Sequence, residues 1–208
     1  MIKVHHLNNS RSQRVIWALE ELGLDYEVVR YQRDPITRLA PPELKAEHRL
    51  GKSPLLTDGD LTIAESAAIV EYLIRTYGHG RLAPAAGTRD DWAYLQWMHF
   101  AEGSAMLPLL LKLYVGRLGD AGAPLWPRID SETANHLGYM EAALAGREFF
   151  VGSSLTGADI MLSFVVEIAQ ARGGLDAYPN LAAYAARIHA RTAYQRALER
   201  GGPYEIGR

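Results

Sequence analysis

Cysteine is absent from the 208-residue sequence. That excludes a disulfide framework, a thiolate zinc site, an iron–sulfur cluster and a cysteine nucleophile. Any thiol chemistry must use a thiol carried in by a ligand. An excess of one charge is also lacking, with 22 Lys and Arg against 24 Asp and Glu and a formal net charge of -2. This balance gives no reason to expect nucleic acid or an anionic membrane as the main partner. Long hydrophobic runs are missing too. The apolar stretch from Met106 to Leu111 is short and contains Pro108, so no membrane span is expected. The opening MIKVHHLNNSRSQRV has no apolar core of the signal-peptide kind. A cytoplasmic location is expected.

What is present is ordinary globular material. Hydrophobic residues make up 48% and charged residues 22%, which argues against disorder and supplies a sizeable core. Two grammars divide the chain. Residues 1–80 alternate strand and helix signals. Ile2 to His5 is a short strand candidate. Ser12 to Leu22 carries Val15, Leu19 and Leu22 at helical spacing, with Gly23 as its cap. Tyr26 to Tyr31 is β-branched and aromatic, hence a strand. After Pro41-Pro42 a short helix is expected over 43–48. Asp58-Gly59-Asp60 is a turn between two extended runs, hence a hairpin. A helix then spans Ala64 to Tyr77. The order is β-α-β-α-β-β-α, a mixed sheet covered by helices.

Residues 81–89 hold Pro84 and Gly87 and look like a linker. Residues 90–208 are helical in period. Helices are expected over 90–115 with a bend at Pro108, over 131–145, over 179–189 and over 193–200. The stretch Ile160 to Ile168 is apolar almost all round, which marks the buried centre of a bundle. Its start, Thr156-Gly157-Ala158-Asp159, fits a reciprocal cap, with Asp159 as a folding residue.

Three places could carry chemistry. At the first strand-to-helix junction, Asn9, Ser10, Arg11 and Ser12 surround a helix N-terminus, which caps itself or binds an anion. In Gly51-Lys52-Ser53-Pro54, a proline opens a strand, and a cis bond there would turn the Ser53 backbone toward an extended ligand. Glu65 and Ser66 start another helix, either as caps or as a carboxylate and hydroxyl for a ligand. His5 and His6 are neighbours on a strand, so they point to opposite faces and do not chelate. No metal is expected. Glu20-Glu21 is expected to be a solvated face.

These segments, in this order, resemble the cytosolic glutathione transferase superfamily over essentially the whole chain. Ser10 to Gly23 is similar to its first helix. Gly51 to Leu56 looks like the cis-proline segment, Ala64 to Ile69 like the Glu-Ser motif, and Leu155 to Ile160 like the cap of the central helix. His6-Leu7, Pro41 to Lys45 and Glu102-Gly103-Ser104 resemble a branch found in fungi and bacteria. The resemblance implies a thioredoxin-like N-terminal domain and a C-terminal helical bundle, usually as a homodimer. It implies glutathione as co-substrate, with its thiolate attacking a small hydrophobic electrophile in a detoxifying transfer. Peroxide or disulfide reduction, and a non-catalytic binding module, are the alternatives. By position, Lys52 would meet the glycine carboxylate, Ser53 and Pro54 the cysteinyl backbone, and Glu65 and Ser66 the γ-glutamyl end. Family members contact the thiol through Tyr, Ser, Cys, Asn or Thr. Ser10 is the first expectation for that role and Asn9 the second, with Arg11 and Ser12 assisting. Phe100, Met106, Leu110 and Tyr114 recur at helical spacing and could line the electrophile pocket or belong to the core or a dimer interface.

Overall fold

The computed structural model describes residues 1–206. Strand β1 (Ile2–Leu7) is buried except at Lys3 among its inner positions, because it runs through the middle of a sheet ordered β2-β1-β3-β4. β2 (Tyr26–Tyr31) pairs with it in parallel, Ile2 opposite Tyr26 and Leu7 opposite Tyr31. A parallel pair needs a crossover. Helix α1 (Ser12–Leu22) supplies it and is buried continuously from Ser12 to Leu19. Gly23 ends it at φ 66, with the Gly23 and Leu24 N–H groups on the Glu20 and Leu19 carbonyls, the left-handed closure that glycine permits.

A one-turn helix, α2 (Leu44–Glu47), follows. β3 (Leu55–Asp58) pairs antiparallel with β1, and the hairpin to β4 (Leu61–Ala64) turns at Gly59. α3 (Ser66–Tyr77) closes the series. The expected βαβαββα order is present, in the thioredoxin-like arrangement that the resemblance implies.

The second half is helical, as expected. α4 (Arg89–Phe100) begins at Thr88, whose side chain accepts from the Asp91 N–H. The expected bend at Pro108 takes the form of a π-helical segment, Ala101–Ala105, directly before α5 (Met106–Val115). Pro108 has no N–H for the preceding turn, and the wider turn absorbs the misfit. A 3₁₀ run (Gly116–Leu125) leads to α6 (Trp126–Ala143), which starts earlier than expected because Pro127 suits a first helical turn. α7 (Gly157–Gly173) is buried from Gly157 to Ala169. Its cap is the expected one. Asp159 Oδ2 accepts from the Thr156 N–H at 2.8 Å and the Thr156 hydroxyl at 2.9 Å, and Oδ1 from the Phe150 N–H at 3.0 Å. α8 (Pro179–His189) and α9 (Thr192–Gly201) complete the helices.

The contacts group the chain differently from the partition 1–80, 81–89 and 90–208. One unit is Met1–Ala83 together with the residues from Ile188 onward, and the other is Pro84–Arg187. The reason is α9. Its small residues Ala193, Ala197 and Gly201 are buried, which lets it lie close on α1. A Cβ on Gly201 would sit 2.8 Å from Gln13 Oε1 and 3.3 Å from Ile16 Cδ1. Tyr194 meets Trp17 edge to face at 5.3 Å. The Glu20-Glu21 pair is therefore not the solvated face that the sequence suggests. Arg191 bonds Glu21 through Nε and Nη2 at 2.6 and 2.9 Å, and Arg196 Nε bonds Glu20 at 2.7 Å.

Candidate functional site

Between the last residue of β1 and the first of α1, residues 8–11 turn the chain. Asn9 takes φ 51, a left-handed conformation that asparagine enters more easily than most residues. Ser10 is 5% exposed. Its hydroxyl accepts from the Ser12 N–H at 3.2 Å and lies 2.7 Å from Ser12 Oγ. Ser12 Oγ in turn reaches His6 Nδ1 at 2.8 Å. Burial, with the Arg30 charge adding to it, pushes the His6 imidazole down to about 4, so the ring is neutral at neutral pH. A buried helix start needs its amides satisfied, and these two hydroxyls are spent on that task and on His6. The structure thus turns Ser10, the first expectation for the thiol donor, inward. Asn8, Asn9 and Arg11 are the half-exposed residues of the turn. Asn9 Oδ1 accepts from the backbone N–H of Glu205, which assigns Nδ2 as the donor end of the amide.

Ser53 joins β3 to this turn. Its hydroxyl donates to the His5 carbonyl at 2.9 Å, accepts from the Leu7 N–H at 3.2 Å and lies 3.5 Å from Ser10 Oγ. The Ser53–Pro54 bond is cis, Pro54 is buried and Lys52 is exposed. A side-chain role for Ser53 was not legible in the sequence, which pointed only to its backbone.

Glu65, exposed, stands at φ 70 before α3. A non-glycine residue there is uncommon and marks a turn held by its surroundings. Ser66 is 3% exposed and accepts from Arg14 Nη2 at 2.7 Å. Arg14 is 1% exposed. Sequence reasoning missed it, although an arginine just before the apolar Val15-Ile16 pair was a visible signal. A buried guanidinium behind a hydroxyl gives that hydroxyl a positive setting, suited to a carboxylate. The structure therefore brings Asn9, Ser10, Ser12, Ser53 and Ser66 to neighbouring ends of β1, β3, α1 and α3, with Lys52 and Glu65 exposed beside them.

The four residues that could line an electrophile pocket, or belong to the core or an interface, diverge. In the second unit Met106 is buried in the core, and Phe100 packs with Trp97, His136 and Tyr139. Leu110 is half-buried and Tyr114 is 57% exposed. Among the described residues no group of three or more His, Asp or Glu could hold a metal ion, and no helix is long and apolar enough to cross a membrane.

Comparison with known proteins adds the following. Residues 1–75 match the family model of the glutathione S-transferase N-terminal domain, and residues 123–187 that of the C-terminal domain. Glutathione S-transferase 3 of Schizosaccharomyces pombe is 36% identical, over 82% of this chain and 75% of that protein. Glutathione S-transferase 1 of Saccharomyces cerevisiae is 31% identical, over 96% and 95%. A glutathione S-transferase crystal structure from Actinobacillus pleuropneumoniae matches with a TM-score of 0.91 and 36% identity, covering 100% of this chain and 96% of that one. A sphingomonad glutathione S-transferase, solved in complex with glutathione, matches with a TM-score of 0.79 and 28% identity over 96% and 98%. Sequence and architecture agree over three quarters or more of each of these relatives, and the chain belongs to the glutathione S-transferase superfamily.

Proposed function

We propose that the chain is a glutathione transferase that binds glutathione against β1, β3 and α3 and holds its sulfur as a thiolate at the turn of residues 8–11. The observation that carries this reading is the link between the three segments. Ser53 ties β3 to β1 beside Ser10, and Arg14 ties α1 to Ser66. In this reading Lys52 takes the glycine carboxylate. The Ser53 and Pro54 segment flanks the cysteinyl backbone, and Glu65 and Ser66 take the γ-glutamyl amine and carboxylate.

The thiol is the part that needs help. Its ordinary pKa is about 8.5, so only about 3% is thiolate at pH 7. Lowering it by about two units takes roughly 2.7 kcal/mol of preference for the anion. A hydrogen bond to the charged sulfur supplies about 1.5–3 kcal/mol and a helix N-terminus roughly 0.3–2. Together they suffice, and no general base is required. Asn9 Nδ2 is the side-chain donor in this reading, with Arg11 adding charge. Ser10 and Ser12 support the turn from within. The thiolate then attacks a small hydrophobic electrophile. A homodimer and a cytoplasmic location belong to the same reading and rest on family likeness.

The ultraviolet absorbance of bound thiolate against pH tests it. The expected bound-thiol pKa is about 6.5. Asn9→Ala should raise it by about one unit, whereas Ser10→Ala should leave it nearly unchanged and lower stability by about 1 kcal/mol. A wild-type complex that titrates near the free thiol refutes the mechanism. Thioether formation with an aryl halide marks conjugation. Peroxide-dependent glutathione oxidation without an adduct marks reduction. Calorimetry without binding at millimolar glutathione marks a non-catalytic module.

A further inference from the structure

Two residues past β2, Arg33 reaches across to the turn that follows β1. Its backbone N–H donates to Asn8 Oδ1 at 2.8 Å. Its guanidinium gives Nε to the Asn8 carbonyl at 3.1 Å, Nη2 to the Asn9 carbonyl at 3.3 Å and Nη1 to the Arg38 carbonyl at 3.1 Å. One planar fork thus gathers three backbone oxygens from two loops, which only arginine can do. Asn9 and Arg38 both hold positive φ, 51 and 61. Side-chain-bearing residues adopt that conformation at a cost, and the fork donates to the carbonyl of each.

The direction of those carbonyls matters for an anion. A trans peptide sets its N–H opposite its C=O. The Asn8–Asn9 and Asn9–Ser10 peptides turn their oxygens to Arg33, which follows β2. Their N–H groups, on Asn9 and Ser10, are therefore aimed away from it. β1 lies between β2 and β3, so the flank away from Arg33 is the one that holds Ser53. Successive N–H groups turned to one side form a concavity for an anion. Carbonyl oxygens turned there instead would repel one.

We propose that Arg33 is a positioning residue for thiol activation: by gathering the Asn8, Asn9 and Arg38 carbonyls it aims the Asn9 and Ser10 N–H groups at the sulfur. The proposal rests on the reading of this turn as the thiol site. In sequence, Arg33 is one cation in the polar run Gln32-Arg33-Asp34, with nothing to set it apart from a solvated side chain.

Arg33→Lys keeps the charge and the aliphatic stem but cannot bridge three carbonyls, and Arg33→Met removes both charge and donors. In both variants the bound-thiol pKa should rise by about one unit, and kcat should fall about tenfold well below that pKa. Turnover should return toward the wild-type level at high pH, and KM for glutathione should change less than about threefold. Should Arg33→Met fail to fold, Arg33→Lys carries the test alone. A lysine variant with the wild-type thiol pKa means that charge rather than the fork acts, and overturns the proposal. So does a kcat loss that is equal at every pH with an unmoved thiol pKa. If the wild-type complex itself shows no lowered thiol pKa, the reading of the site fails and this proposal with it, a result visible before any variant is made.

Discussion

His6 and Asp159 are buried titratable groups with opposite effects on stability. His6, in the sheet-bearing unit, is held near 4 by burial and by Arg30. Its neutral form is the folded one, so its contribution is complete above the ordinary histidine value and is lost as pH falls toward 4. That swing is roughly 3 kcal/mol. Asp159, in the helical unit, is pushed up to about 6 by burial, against the hydrogen bonds from Phe150 and Thr156. Its contribution is complete at low pH and is lost as pH rises from about 4 through 6. Over the same interval one unit gains stability while the other loses it. His6→Gln should therefore flatten the rise in the first unit's urea midpoint between pH 4 and about 6.5, and Asp159→Asn should flatten the fall in the second's. Trp17 is in the first unit and Trp92, Trp97 and Trp126 are in the second, so fluorescence-followed unfolding of a variant that keeps only Trp17, set against Trp17→Phe, would separate the two. Parallel profiles for wild type and variant would show that the groups do not titrate in this way.

At the scale of elements, the fold was legible wherever the signal is local. Gly23 closes α1 and Gly59 turns the hairpin, each at the position its neighbours demand, and the Thr156–Asp159 cap announced α7. Partner choice was not legible. The Ala193, Ala197 and Gly201 stripe shows that α9 has a buried side but not that α1 covers it. Glu20 and Glu21 looked solvated because their arginine partners lie some 170 positions away, at Arg191 and Arg196. Within the candidate site, Asn9, Ser53 and Ser66 were legible as residue types at helix and strand starts. The inward turn of the Ser10 hydroxyl and the roles of Arg14 and Arg33 were not, because they depend on which elements come together. Gly201→Ala tests the helix contact. The added methyl would force Gln13 or Ile16 to shift, and overpacking of this kind costs about 1–3 kcal/mol. A chemical-denaturation midpoint unchanged from wild type would mean that the two helices part freely.

For the molecule as a whole, the sheet-bearing unit is assembled from two stretches of chain separated by the entire helical unit. Residues 1–83 alone would expose the face of α1 that Tyr194, Ala197 and Gly201 cover, along with Trp17. That fragment is expected to show no cooperative urea transition, since a small unit stripped of a covering helix falls below the burial a stable core needs. Adding residues 188–206 as a separate peptide should restore the transition, read by Trp17 fluorescence. A sharp transition without the peptide would show that the sheet unit stands without α9.

This division also sets an order on synthesis. The turn at residues 8–11 leaves the ribosome before the helical unit, yet the helix that backs α1 follows only after every residue of that unit has been made. The sheet-bearing unit is thus begun before the helical unit and finished after it, and its α1 surface stays open to chaperones while the helical unit is being made.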